Sequence, residues 1–378
     1  MCFANWDTFT TLVEKDFSQI EHVTSDDNGG ADMKKVAIIG HFGGEENFCD
    51  GQSIKTRIIA REIEKSLGEE VVDKVDTYMW KKHPLRLLTF CIKGVYNSEN
   101  IVFLTDAGGI KVFPWLLTCV NIFKKRSIHY VVIGGWLIHF VKKHKILSAF
   151  LKKINGVFVE TTVMKKALED SGFKNVYLMP NTKNLTPLTE NELVYSSSEP
   201  YRFCIFSRIM KEKGIEDAVK AVESINSLYG RKICSLDLYG QVDKHQVEWF
   251  EQLSKTFSNS IQYKGIVPFD KTVSVLKDYY ALLFPTQFYT EGIPGTIIDA
   301  YAAGIPVIAS EWESVLDIVV PYETGVIYPF NDPNFIVKHM IFFIQNPQKV
   351  FEMKKYCLKK AEQYLPSVVM ETLLSRFD

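Results

Sequence analysis

The amino-acid sequence predicts an α/β protein built from two doubly wound parallel sheets, and three observations lead there. Short apolar runs alternate with helical segments along the chain, the pattern that makes parallel sheets through βαβ crossovers. The alternation occurs twice, on either side of a Ser-, Thr-, Asn- and Glu-rich stretch at 182–200. The 378 residues also exceed what one hydrophobic core fills, because single cores stop growing near about 250–300 residues. Two domains facing each other across a cleft are expected.

In chain order, residues 1–32 are polar and read as a poorly ordered extension ahead of Met33. The first domain, 33–185, opens with a strand at 36–40, a glycine-bearing loop at 41–52 and a helix at 53–67. This is half of a nucleotide-binding unit. Gly40, Gly43, Gly44 and Gly51 do not supply the Gly-x-Gly-x-x-Gly fingerprint, which argues against a nicotinamide dehydrogenase and leaves a tight turn as the plainer reading. Strands are expected at 101–105, 130–133, 157–159 and 176–179. The second of these runs into Gly134, Gly135, Trp136 and His139, beyond the carboxyl edge where ligands enter such sheets. His139 is therefore either an acceptor-side residue or a histidine that only packs.

The second domain, 186–360, has expected strands at 202–206, 235–239, 261–263, 281–284, 306–309 and 326–328. After 281–284, Gly292 and Gly295 open a turn, and a helix at 296–303 is stopped by Gly304. A glycine-bearing loop entering a helix leaves N–H groups at the positive end of the helix dipole, suited to a phosphate. Ile293, Pro294, Gly295 and Thr296 form that entry. Glu291 and Asp299 bracket it, eight positions apart, as carboxylates able to accept from sugar hydroxyls or as a loop charge and a solvated helix face. Arg208 and Lys213 follow the strand at 202–206. A forked donor and a point charge there suit a diphosphate, although alone they would read as a solvated basic turn.

The Glu291/Asp299 spacing resembles the Glu-x7-Glu signature of the retaining, GT-B-fold glycosyltransferases of family 4, with an Asp one methylene shorter in the second position. Ser207, Arg208, Lys213 and Gly214 resemble that family's Gly-Arg…Lys-Gly motif, with Ser207 in place of the glycine. Pro180 and Asn181 are similar to its Pro-Asn-Gly turn, with Thr182 third, and Gly240 and Lys264 to Ile266 to its next two strand-end turns. The resemblance covers about 34–378 and is strongest in 201–330. It implies a GT-B fold whose C-terminal segment, 361–378, returns to the first domain. It also implies transfer of a sugar from a UDP- or GDP-sugar, with Arg208, Lys213 and Glu291 catalytic. Gly240, Ile293, Pro294, Gly295 and Thr296 would bind the donor, Ile266 would lie near the base and Asp299 near the ribose. Gly43 and Gly44 would face the cleft. The mechanism expected is front-face attack with retention, in which the departing phosphate oxygen takes the acceptor proton. No Asp-x-Asp occurs, so neither a metal nor another cofactor is indicated. Alternatives are a sugar-nucleotide epimerase or phosphorylase on the same architecture, or a catalytically silent GT-B subunit that binds a partner or a membrane.

Net charge is −1 and the pI about 6.7, which gives no nucleic-acid signature. Seven scattered cysteines without a Cys-x-x-Cys pair suit reduced thiols in the cytoplasm. No apolar run approaches the ~18–20 residues of a membrane span, and no secretory signal is expected. Charge is unevenly spread, however: thirteen Lys and Arg between residues 80 and 155 face only Glu99 and Asp106. They alternate with apolar residues, as on helices lying in a bilayer interface; a solvated charged face is the alternative. With the resemblance, this points to an enzyme of surface-polysaccharide synthesis (O-antigen or capsule), peripheral on the inner face of the cell membrane. Its acceptor would be a saccharide on undecaprenyl diphosphate.

Overall fold

The structure, a computed structural model, describes residues 34–44, 51–78, 82 and 84–377. The expected extension, 1–32, lies outside the described residues. Two six-stranded sheets, parallel throughout, form the frame. The first contains β1 (Lys34–Gly40), β2 (Val72–Asp76), β3 (Ser98–Phe103), β4 (Ser127–Val131), β5 (Gly156–Val159) and β6 (Val176–Leu178), in spatial order β2-β1-β3-β4-β5-β6. Around it lie α1 (Gly51–Leu67), α2 (Pro84–Asn97), α3 (Phe113–Val120), α4 (Leu137–Lys143), α5 (Lys145–Leu151) and α6 (Thr162–Asp170).

Helices on both faces explain why these strands are apolar without alternation. Ala37 and Ile39 join a core with Phe103, Leu117 and Tyr130, while Val36 and Ile38 join another with Ile59, Val102, Val131 and Phe158. Strand β2 is not among the expected elements. It pairs Val72 with Val36 and Val75 with Ile39 at the sheet edge, and its remaining residues, Asp73, Lys74 and Asp76, hide the strand pattern.

The second sheet contains β7 (Tyr201–Phe206), β8 (Cys234–Tyr239), β9 (Ile261–Gly265), β10 (Ala281–Phe284), β11 (Val307–Ser310) and β12 (Gly325–Tyr328), in order β12-β11-β10-β7-β8-β9. Its helices are α7 (Ile215–Tyr229), α8 (Val247–Ser254), α9 (Thr272–Leu276), α10 (Gly295–Ala302), α11 (Asn334–Gln345) and α12 (Pro347–Glu362), with α13 (Pro366–Val369) and α14 (Glu371–Leu374) ending the chain. The chain builds outward from β7 to β9, then returns to lay β10 on the other side of β7. At such a switch point the two strand-end loops diverge and leave a crevice at the carboxyl edge.

The last helices pack against the first sheet: Val369, Met370 and Leu373 belong to the core of Val36 and Ile38. The stretch 182–200 lies along the second sheet's helices. Thr182 donates its hydroxyl to the Tyr364 carbonyl (2.6 Å), the Leu188 N–H bonds to Ala302 (2.8 Å), and Leu193 is buried.

Candidate active site

The loops after β7 and β10 meet at the second sheet's crevice. Gly214, at φ +69°, makes this possible: a Cβ there would stand 2.0 Å from the Pro285 carbonyl oxygen, so only glycine allows the approach. Lys213, one residue earlier, donates to Glu291 Oε1, and the Thr286 hydroxyl donates to the same oxygen at 3.1 Å. The Lys213 ammonium also lies 5.0 Å from the Phe288 ring centroid, within cation–π range. Ser314 Oγ holds the Glu291 carbonyl at 2.9 Å. Both charged side chains are partly open to solvent, at 18% and 17%. The result is a cation and a carboxylate side by side at the mouth of a glycine-bearing loop.

Arg208 does not join them. Its side chain is 56% exposed and turns to Asp243, 3.7 Å away. Gly240, at φ +134°, backs the same loop, where a Cβ would meet the Ser207 carbonyl oxygen at 1.9 Å. Ile266 follows β9 and is exposed.

Downstream of Glu291, Pro294 precedes α10, whose first turn holds Gly295 and Thr296. Thr296 Oγ1 is buried with no hydrogen-bond partner among the described residues. Asp299, expected to present a carboxylate to a ribose, is only 2% exposed and already engaged. Lys183 Nζ donates to its two oxygens at 2.6 and 2.5 Å, and Thr272 to Oδ1 at 3.3 Å. Burial raises the Asp299 carboxyl above its ordinary range, and Lys183 and Thr272 draw it back only in part. The Lys183 stem lies against Gly295, where a Cβ would meet its Cδ at 3.3 Å. Lys183, one-fifth exposed, is therefore the part of this pair that solvent reaches.

The first sheet contributes from the opposite side. Glu160, just past β5, pairs with Lys55 of α1 at 2.5 Å, and both side chains are buried. Its Oε2 accepts from the Ile293 N–H at 3.2 Å and its Oε1 from the Gly134 N–H at 3.3 Å. Asn181 donates to the Ile293 carbonyl at 3.0 Å. Gly43 and Gly44 end the described part of the β1 loop at φ +98° and +58°. The Asp76 carboxylate anchors that loop through the N–H groups of Phe42 (2.9 Å) and Gly44 (2.8 Å). His139 sits on α4 with its side chain exposed, one turn past Gly135.

Thus Glu291, Ile293 to Thr296 and Asp299 occupy one loop-and-helix unit after β10, and Lys213 reaches Glu291 from the loop after β7, which Gly240 backs. Arg208 turns to Asp243 instead, and Ile266 is exposed just after β9. The sequence reading did not include Lys55, Glu160 and Lys183; the charges at the end of an apolar strand and just after Pro180 and Asn181 were the signals available for the last two.

Comparison with known proteins gives a matching context. Residues 194–363 match the model of the family "Glycosyl transferases group 1". An uncharacterized glycosyltransferase of Methanocaldococcus jannaschii is 22% identical over 244 residues, 59% of this chain and 60% of the relative; the chain thus spans less than two thirds of that protein's length. Among solved structures, HepE of Anabaena in complex with UDP superposes with a TM-score of 0.71 at 12% identity, covering 90% of this chain and 98% of that one. The apo lipopolysaccharide outer core galactosyltransferase WaaB gives 0.64 at 14% identity, covering 90% and 98%. These likenesses establish the fold as two Rossmann-like domains of GT-B type.

Proposed function

From a second domain that matches the group 1 glycosyl transferases and a GT-B fold, we propose that this chain transfers a sugar from a nucleotide-diphosphate sugar to a saccharide acceptor. The observation that carries the reading is the contact of Lys213 with Glu291 at the switch point of the second sheet. A fixed ammonium there meets the charge that grows on a departing diphosphate, and a carboxylate two residues before the Ile293 amide orients sugar hydroxyls.

In the proposed reaction the bond from the anomeric carbon to the diphosphate oxygen breaks as the acceptor oxygen bonds to that carbon from the same face. The acceptor proton passes to the departing phosphate oxygen, so configuration is retained and no protein nucleophile is needed. Lys213 holds the leaving charge, and Arg208, long and solvent-exposed, swings from Asp243 to join it, without a metal bridge. Lys183, held by Asp299, presents its ammonium to the nucleotide side of the donor. The nucleotide is a UDP or GDP group; HepE was solved with UDP.

The acceptor we favour is a saccharide on undecaprenyl diphosphate, reached from an anionic membrane surface in O-antigen or capsule synthesis. Support comes from exposed apolar side chains of the first domain. Leu85, Ile122, Phe123 and Ile146 are between 64% and 78% exposed, and a groove of about 320 Å³ is lined by Lys145, Ile146, Ala149, Phe150 and Lys153. Apolar side chains flanked by lysines suit an interfacial helix. Among the described residues, no helix is long and apolar enough to cross a membrane.

A thermal-shift panel of UDP-, GDP-, ADP- and dTDP-sugars tests the donor assignment. A ligand at about 100-fold its dissociation constant adds about 2.7 kcal/mol. One nucleotide class should raise the melting temperature; a flat response to all four would refute the reading.

A further inference from the structure

The buried pair Lys55–Glu160 lies in the first domain, yet it grips the loop of the second domain that carries Glu291. We propose that it is an interdomain clamp in which Glu160 is a positioning residue for that loop, an inference that rests on the glycosyl-transfer reading for its catalytic consequence.

A buried ion pair recovers its desolvation cost only when further hydrogen bonds satisfy the carboxylate. Glu160 draws three: from Lys55 Nζ at 2.5 Å, from the Gly134 N–H at 3.3 Å, and from the Ile293 N–H at 3.2 Å. The first two belong to its own domain, and the third exists only while the domains are together. The carboxylate is therefore fully satisfied in one domain arrangement, which ties that arrangement to the direction of the 292–293 peptide.

Two glycines show how closely the loop is pressed onto the first domain. A Cβ at Gly292 would stand 2.2 Å from Glu160 Oε2, and one at Gly135 would stand 2.4 Å from the Thr290 carbonyl oxygen. Asn181 takes the other side of the same residue, through the Ile293 carbonyl at 3.0 Å. Both polar groups of Ile293 are thus held by residues more than a hundred positions away. Glu291 is two residues from that hold. Lys55 is itself fixed by the Val132 carbonyl at 2.9 Å, so the carboxylate is anchored to the first domain on the Lys55 side and to the second on the Ile293 side.

Hydrogen exchange on the ligand-free protein tests the clamp without any substrate. Glu160→Ala should speed exchange of the Ile293 amide, read in peptides covering 290–296, at least tenfold, with β11 unchanged. Lys55→Met combined with Glu160→Gln removes both charges but keeps an acceptor oxygen for Ile293, and should restore most of the protection. It also serves if the alanine variant does not fold. Unchanged exchange at 290–296 in a folded Glu160→Ala protein, or in a folded protein that combines Lys55→Met with Glu160→Ala, would overturn the proposal. With UDP-glucose and GDP-mannose as probes, Glu160→Ala should lower kcat at least tenfold for whichever is turned over, while KM changes less than threefold. A wild-type protein that turns over neither probe would count against the glycosyl-transfer reading, and the exchange result would still decide the clamp.

Discussion

Lys183→Met isolates the physical role of the pair that Lys183 makes with Asp299. Methionine keeps most of the stem that lies against Gly295 but removes the ammonium bonded to the Asp299 oxygens at 2.6 and 2.5 Å. What remains is a carboxylate 2% exposed with one hydroxyl, Thr272 Oγ1, at 3.3 Å. Breaking a buried pair from one side costs on the order of 3–5 kcal/mol, or about 2–4 °C per kcal/mol in melting temperature for a domain of 150–250 residues. The cost depends on pH with a defined sign. Burial raises the Asp299 carboxyl above its ordinary value of 3.8. A raised carboxyl contributes stability that is fully present below the unfolded pKa and is lost as pH rises through the folded one. Without Lys183 the folded value climbs further, so the deficit relative to wild type is small near pH 4 and full near pH 7. Urea denaturation at both pH values measures it, and Asp299→Asn added to Lys183→Met should recover most of the loss. A deficit of equal size at both pH values, or a double variant no better than the single, would refute the reasoning.

Lys213→Ala should lower kcat by about 10²–10³ with a smaller change in KM, as loss of a preorganised charge-stabilising donor does; near-wild-type turnover would remove Lys213 from the leaving-group side. Lys354, 1% exposed on α12 and donating among the described residues to the Tyr279 carbonyl alone, at 3.5 Å, has its ammonium pushed down by burial to about 8 from 10.5. At about 1.4 kcal/mol per unit, Lys354→Met should gain on the order of 3 kcal/mol at pH 7. Because a depressed base penalises folding only while the unfolded chain is protonated, that gain should shrink between pH 8 and 10.5; a gain constant with pH would contradict the assignment. Co-sedimentation with liposomes should rise with anionic lipid and fall with salt, at about 1 kcal/mol per engaged basic residue, and Ile146→Ser with Phe123→Ser should reduce it. Binding indifferent to both lipid charge and salt would favour a soluble acceptor.

Much of this architecture was legible because strands buried on both faces stand out from their surroundings. Strand β10 is a continuous apolar run, β7 is broken only by Arg202, and β1 and β3 each carry an apolar run after a polar start, whereas β2, a sheet-edge strand with Asp73, Lys74 and Asp76, left no such mark. The loops carrying Lys213 and Glu291 were legible for a local reason: glycines and charges at strand ends mark backbone turns. The relations between them were not. Arg208 and Lys213 read alike as basic residues of one loop, yet a 3₁₀ turn at Lys211–Lys213 separates them and Asp243 takes the arginine. Lys55 and Glu160 are 105 positions apart, and Lys183 and Asp299 are 116. A buried charge is recognisable only by its partner, and the fold alone chooses partners at that distance. Asp299 shows the consequence: its spacing from Glu291 suggested an open carboxylate, and tertiary packing filled it with Lys183.

The most direct test of the central claim follows product formation by NMR, with UDP- and GDP-sugars offered alongside lipid-linked and soluble saccharide acceptors. One donor should be consumed only when an acceptor is present, releasing one nucleoside diphosphate per glycoside formed, with the donor's anomeric configuration preserved in the product. Inverted configuration would contradict the front-face mechanism, and conversion of the sugar nucleotide without any acceptor would contradict glycosyl transfer itself.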